Sequence, residues 1–242
     1  MKNKDYKKLL NLNFLDITNQ TYACGKYDLP YIYCKDVNID YIALYPNLKE
    51  YNKTTGTAVG FYVYDFKFDG KNGLFQAIYY DDGKGKEKFK QRFRNVKYAI
   101  APDYSLCGDI PVAENIYRIF KSRIVSLWLT DACDIIVIPN ITYANENYFD
   151  IMLDGLEDCE CVAFSVKGSV DNIIQKELLR KAIKHTVDNL HKLKTIIVYS
   201  VSIDDSKILN LFSYAVDKGI KIVIPDNLLK SRNLILEGSK NG

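Results

Sequence analysis

The chain alternates short, wholly apolar runs with longer stretches in which apolar residues recur every three or four positions. The runs are Ile42-Ala43-Leu44-Tyr45, Tyr98-Ala99-Ile100-Ala101, Ile135-Ile136-Val137-Ile138, Val162-Ala163-Phe164-Ser165-Val166, Ile196-Ile197-Val198-Tyr199 and Ile222-Val223-Ile224. Such runs, rich in Val and Ile, fit strands buried on both faces, as in parallel sheets. Four of them stop at Pro46-Asn47, Pro102-Asp103, Pro139-Asn140 and Pro225-Asp226. Proline lacks the N–H that a ladder needs, so it marks the end of a strand. The other two stop at Lys167-Gly168-Ser169 and Ser200-Val201-Ser202.

The stretches between read as helices. After Asp109 and Pro111 come Ile116, Phe120, Ile124, Leu127 and Trp128 at helical spacing. Asp171 is placed to cap a second helix, with Ile174, Leu178, Ala182, Val187 and Leu190 as its inward stripe. Asp204 or Asp205 caps a third, with Ile208, Leu211, Phe212 and Ala215 inside and Gly219 at its end. Strand and helix in alternation predict an α/β fold with a mainly parallel sheet. The regular units span residues 96–236, and residues 1–80 are less regular. There, Tyr31 to Cys34 and Val59 to Tyr64 are strand-like, while Leu74 to Tyr80 either pairs as a hairpin or begins a helix. Up to eight strand candidates suit an incomplete TIM-like barrel. The link from Cys34 to Tyr41 is too short for a crossover helix, so an open sheet is the alternative. Residues 1–242 read as one α/β domain; Asp81 to Lys86 is the best place for a cut, and the tail from Glu237 should fray.

Composition adds constraints. Hydrophobic residues make up 48% and charged residues 26% of the 242, enough to bury a core. The net charge of +3 neither supports nor excludes nucleic acid. Six cysteines lie scattered in apolar contexts, the first residues are charged with no apolar leader, and no run reaches bilayer length. The expectation is a cytoplasmic protein with reduced thiols and no membrane partner; oligomeric state is not specified.

At Tyr98-Ala-Ile-Ala-Pro-Asp-Tyr-Ser105, Asp109-Ile110-Pro111, Asn115-Ile116-Tyr117-Arg118 and Ile136-Val137-Ile138-Pro139-Asn140, the chain resembles a family of uncharacterised proteins. That family, filed as a domain of unknown function, occurs mainly in Gram-positive bacteria, their phages and other mobile elements. The likeness fades near Val162 to Gly168. Ile141-Thr142-Tyr143 stands where an aromatic is expected directly after Asn140, and Asp69 to Gly73 looks like an insertion. The resemblance implies a mobile-element context and carries no activity with it.

In parallel α/β folds, ligands sit at the carboxyl ends of the strands. Those ends carry Asp65, Asp103, Ser105, Asn140, Thr142, Lys167, Ser169, Ser202 and Asp226. As a site, Asp103 is a base or metal ligand, Lys167 faces an anion, and Asn140 and Asp226 complete the polar mouth. A divalent metal at Asp103 and Asp226 is one option; no other cofactor is indicated. The same Asx residues also serve simply as helix caps or Asx-turns. Val166-Lys167-Gly168-Ser169 offers an anion site or an ordinary turn, and lacks any P-loop pattern. A basic run holds Lys84, Lys86, Lys88, Lys90, Arg92, Arg94 and Lys97 against one acid, Glu87. Phe89, Phe93 and Val96 fall on one helical face, so Lys88, Lys90, Arg92 and Arg94 would fan outward as a phosphate-following surface or a solvated face. Cys159-Glu160-Cys161 and Cys24 with Cys34 lack zinc spacing, and His185 and His191 sit on different faces of a helix. There is no nucleophile elbow, and Cys107 has no evident His partner.

Three functions follow: an accessory protein of a mobile element or phage acting on DNA or a host protein; a metal-assisted enzyme acting on a phosphorylated or nucleotide-like substrate; and an interaction module such as a defence inhibitor. The first ranks slightly higher, because recognisable catalytic constellations are missing while the basic run is present.

Overall fold

The computed structural model describes residues 9–12, 14–168 and 172–238. A small antiparallel pair, β1 (Ala23–Cys24) and β2 (Leu29–Pro30), follows the short helix α1 (Leu15–Thr18). The core strands are β3 (Tyr41–Leu44), β4 (Thr57–Gly60), β5 (Tyr98–Ile100), β6 (Ile136–Ile138), β7 (Cys161–Ser165), β8 (Thr195–Tyr199), β9 (Lys221–Val223) and β10 (Asp226–Asn227). Between them lie α2 (Leu74–Tyr79), α3 (Gly83–Arg92), α4 (Val112–Cys133), α5 (Phe149–Leu153), α6 (Ile173–Asn189), α7 (Asp205–Leu211) and α8 (Ser213–Asp217). Helix α9 (Leu228–Gly238) ends the described chain.

Every core pairing is parallel. One sheet has the order β10-β3-β4-β5-β6, the other β7-β8-β9. The sheets meet at two seams. A single parallel bridge joins Asn140 to Ala163, with Ile141 N–H donating to Ala163 O and Ala163 N–H to Pro139 O, both at 2.8 Å. At the other seam the chain itself passes from β9 on one sheet to β10 on the other through Ile224-Pro225, where the proline interrupts the ladder. Among the described residues no continuous ladder closes the strands into one barrel; the arrangement is two open parallel sheets held edge to edge.

Alternation along the strands explains why the runs are wholly apolar. Ile42, Leu44, Ala58, Tyr62, Ile100 and Ile138 pack into one core with β7 and β8. Their neighbours Tyr41, Ala43, Val59, Phe61, Ala99 and Val137 pack into a second core under α2, α3 and α4. Both faces are therefore covered, as a parallel sheet with crossover helices requires. Phe89, Phe93 and Val96 anchor α3 and its exit in the second core, each burial contributing about 1.5–3 kcal/mol.

The connections depart from the sequence reading in several places. Tyr31 to Cys34 belongs to no strand, β4 ends at Gly60, and the β3–β4 link carries a turn of 3-10 helix at Leu48–Glu50. Leu74 to Tyr79 is helical, which resolves the hairpin alternative, because Leu74, Phe75 and Ile78 bury together on one helical face. Asn172, whose side chain accepts from Gln175 N–H, caps α6; Asp171 and Ser169 lie outside the described residues. Ile174 faces solvent, while Leu179, Ala182 and Ile183 make the buried stripe. Asp204 caps α7 by accepting from the Ser206 and Lys207 amides. The third helix breaks at Phe212 into α7 and α8. Gly219 takes a φ of +79°, the left-handed turn expected at a helix end. Among the described residues, no helix is long and apolar enough to cross a membrane.

Candidate functional site

Because the core strands run parallel, the loops after β4, β5 and β6 leave on the same side, and their polar residues meet. Tyr62 lies two residues past β4 and donates to Asn140 Oδ1 at 2.8 Å. Asn140, two residues past β6, donates through Nδ2 to Asp103 Oδ1 and to Thr142 Oγ1, each at 2.8 Å. Thr142 Oγ1 donates to the same Asp103 oxygen at 3.1 Å. Asp103 Oδ1 thus carries two donors, and no hydrogen bond from the described residues reaches Oδ2.

The network is rigidly backed. The Tyr62 ring stacks on Tyr199 of β8 with centroids 4.3 Å apart and planes 8° from parallel, which ties the two sheets together above the core. Gly60 makes room for this: a Cβ there would meet Ile42 Cγ2 at 2.8 Å and Tyr62 Cδ2 at 3.1 Å. The Tyr199 hydroxyl is fully buried and has no hydrogen-bond partner among the described residues. Burial pushes the Asp103 carboxyl up to about 6; its bonds from Thr142 and Asn140 oppose the rise and the nearby Asp65 charge adds to it. The phenols of Tyr62 and Tyr143 are raised by burial and then by the Asp103 charge, so both remain neutral donors at physiological pH.

A second cluster sits beside the first. Asp65 accepts from Ser105 Oγ at 3.1 Å and from Arg118 Nη1 at 2.5 Å. Arg118 is also bonded to Glu114 at 3.0 Å and to the Ser105 carbonyl at 3.3 Å. Behind Asn140 and Thr142, toward α4, lies a cavity of about 20 Å³ lined in part by Arg118, Ser122, Arg123 and Met152. It has room for about one water. Arg123 is only 6% exposed and donates to Met152 O at 2.7 Å and Asp154 O at 3.3 Å, the carbonyls at the end of α5. Burial lowers its pKa to about 10, so it stays charged against the negative end of that helix.

Of the polar residues expected at the mouth, the structure joins Asp103, Asn140 and Thr142 directly and places Asp65 with Ser105 alongside. Lys167 is exposed at the end of β7, where its amide N–H donates to Ser165 Oγ at 3.4 Å; none of its contacts reaches Asp103. Asp226 faces solvent and its polar contact is Lys230, at 3.8 Å. Its neighbour Asn227 is the inward residue, bonded to Ser200 O at 2.7 Å and accepting from Lys230 N–H. Strand alternation sends one of the pair in and the other out. Asp103 and Asp226 therefore share no polar partner, and among the described residues no group of three His, Cys, Asp or Glu side chains is placed to hold a metal ion.

The basic run forms α3, capped by the Asp82 side chain on Lys84 N–H. Its cations divide. Lys88 lines a groove of about 430 Å³ that runs along residues 66–73 and is edged by Lys67, Lys71 and Arg92. A neighbouring groove of about 320 Å³ shares Lys71 and Lys88 and adds Lys84. Arg92 is turned inward: its guanidinium lies 4.0 Å from the Tyr45 ring centroid, donates to the Tyr45 carbonyl, and reaches Tyr51 Oη at 3.2 Å. Lys90 and Arg94 are exposed outside both grooves, with Lys90 near Cys133.

The family model described as "Domain of unknown function (DUF4417)" matches residues 22–215, which hold both polar clusters and the basic groove. The chain belongs to this family. The chain is also similar to the "Gene 1 protein" of Mycobacterium phage L5, 25% identical over 169 residues, or 69% of this chain and 68% of that protein. The "Gene 1 protein" of Mycobacterium phage D29 is 25% identical over 144 residues, 59% of this chain and 48% of that protein. The chain thus spans about half of the second relative. The phage context drawn from the Pro-Asp-Tyr-Ser and Ile-Pro-Asn motifs is borne out, and the DUF4417 match brings no activity with it.

Proposed function

We propose that this DUF4417 protein is a phage-type accessory protein that binds DNA through the lysine-rich grooves between α3 and residues 66–73. The observation that carries the reading is the charge of these walls. Lys67, Lys71, Lys84 and Lys88 face two adjoining grooves whose only carboxylates, Asp69 and Asp82, are already engaged. Asp69 pairs with Lys121, and Asp82 caps α3. Cations left without acidic partners along a concave surface match the spaced charge of a phosphate backbone. Lys90 and Arg94 add charge at the periphery, whereas Arg92 braces the fold. The test is binding of a labelled oligonucleotide across a salt series. Substituting Lys67, Lys71 and Lys88 together by Ala should weaken binding and flatten the salt dependence by about two to three. An unchanged slope would remove the reading.

A second reading rests on Asp103, a carboxyl fixed by Asn140 and Thr142 with its other oxygen open and a pKa near working pH, as a proton acceptor for a small substrate. It is tested by a thermal-shift screen over divalent metals and nucleotides: a gain that Asp103→Asn abolishes supports it, and no gain with any of them dismisses it.

A further inference from the structure

The loop that walls the larger groove carries two large aromatic side chains that the core does not use. Tyr64 is 76% exposed and Phe66 is 70% exposed, although the same short stretch offers Phe61 and Phe68 fully to the second core. Their positions are fixed rather than loose. Asp65 between them is held by Ser105 and Arg118, and the backbone turns through a short 3-10 helix at Asp65–Lys67. The two rings lie 10° from parallel with centroids 5.9 Å apart, so they present a small aromatic platform outward. Lys67 Nζ lies 4.9 Å from the Phe66 centroid. Phe66 and Lys67 both line the groove that Lys71 and Lys88 continue.

Two exposed aromatic rings in contact at the edge of a groove form an apolar patch of the kind that binding surfaces carry. The neighbouring charge says what kind of flat group it takes. An aliphatic or aromatic protein partner would bring its own carboxylates or none; a nucleobase arrives already joined to a phosphate, and cations stand on the groove side of the rings. In a duplex the base faces are stacked on one another and hidden, so only an unpaired strand can offer one.

Resting on the DNA-binding reading, we infer that the groove takes single-stranded DNA, with an unpaired base stacked on the Tyr64–Phe66 platform and the following phosphates running past Lys67, Lys71 and Lys88. Tyr64 and Phe66 are then the residues that discriminate single strands from duplex, and the lysines hold the backbone in either form. Sequence preference is weak, because every base has a stacking face.

The experiment is fluorescence anisotropy of the full chain with a labelled 20-nucleotide oligo-dT and with a duplex of equal length, from about 50 to 300 mM salt. The expected result is tighter binding of the single strand. Phe66→Ala and Tyr64→Ala should each weaken it by about 5- to 100-fold, the range set by loss of one stacked base. Duplex affinity and the salt slope should hold, and Phe66→Trp should retain single-strand binding. Because both side chains are exposed, unchanged melting temperatures serve as the folding control. Equal affinity for the two forms, with no effect of Phe66→Ala or Tyr64→Ala, overturns the single-strand inference while leaving the DNA-binding reading in place. Failure of the unaltered chain to bind either form at 50 mM salt overturns both.

Discussion

Asp103 should be held at a cost, and replacing it by Asn should stabilise the protein at neutral pH. The carboxyl is pushed up to about 6 chiefly by burial, from an unfolded value of about 3.9. A raised carboxyl pKa means that the folded state binds the proton more tightly than the unfolded chain. Between about pH 4 and 6 the native state holds a proton that the unfolded state has released, so this group's favourable contribution is full below pH 4 and is lost as pH rises through 6. The difference is about two pKa units, or about 3 kcal/mol at 1.36 kcal/mol per unit. Asn at this position keeps an oxygen to accept from Asn140 and Thr142, and its amide nitrogen replaces the oxygen that no described residue bonds. At pH 7.5 the Asp103→Asn protein should therefore gain about 2–3 kcal/mol, a rise in Tm of roughly 5–10 °C for a chain of this size. At pH 4 the two proteins should agree within about 1 kcal/mol. Urea unfolding at the two pH values, followed by circular dichroism, measures both differences. Taking variant minus parent isolates Asp103 from Asp131 and Asp154, whose carboxyls burial also raises. An equal loss of stability at both pH values would refute the argument, since the ionised network would then be a net support of the fold.

Three further outcomes test the remaining assignments. Arg92→Ala should cost about 2 kcal/mol by freeing the Tyr45 carbonyl and removing the guanidinium from the Tyr45 ring, whereas Lys88→Ala should leave stability within about 0.5 kcal/mol; chemical denaturation separates the two. Tyr199→Phe removes a buried hydroxyl that has no partner among the described residues and keeps the stacked ring, so Tm should hold or rise by a few degrees, and a fall of more than about 1 kcal/mol would show that the hydroxyl is satisfied in solution. Arg123→Met should lower stability by about 2–4 kcal/mol, because the carbonyls of Met152 and Asp154 lose their donor inside the protein, and calorimetry reads the loss directly.

Much of the architecture could be read from the chain because a parallel sheet writes itself locally. Apolar runs covered on both faces have no polar alternation to hide them, and Pro-Asx ends four of them, two of which bring Asp103 and Asn140 together at one rim. What stayed hidden depended on direction. Asp103 and Asp226 follow the same Pro-Asx phrase, yet Asp226 lies in a strand that resumes after its proline, where pleating turns it outward and Asn227 inward. Arg92 looked like a fifth surface cation of α3; only the placement of Tyr45 and Tyr51, more than forty residues earlier, turns it inward. Tyr62 is part of the polar network although nothing polar surrounds it in sequence. The available signal was Gly60, a residue without a side chain at the end of a β-branched strand, which marks a close approach. Pro225 marked the seam between β9 and β10, but the break at Phe212 and the seam at Ala163 left no signature, because they come from how distant edges fit rather than from any local preference.

The two regions singled out are not independent features of the surface. Residues 65–73, which wall the basic groove, begin at the carboxylate that Ser105 and Arg118 clamp, and Ser105 follows Asp103 by two residues on the exit of β5. The Asp65 charge is also one of the forces acting on Asp103. Arg118, which neutralises Asp65, stands on α4 and lines the small cavity behind Asn140 and Thr142. The aromatic platform and the fixed carboxyl are thus built on a common frame of β5, its exit loop and one turn of α4. Loss of the Asp65–Arg118 pair would free the platform's base and expose Asp103 to an uncompensated second carboxylate in the same step. The low dielectric of a partly buried pair makes that second effect larger than a surface charge change would be.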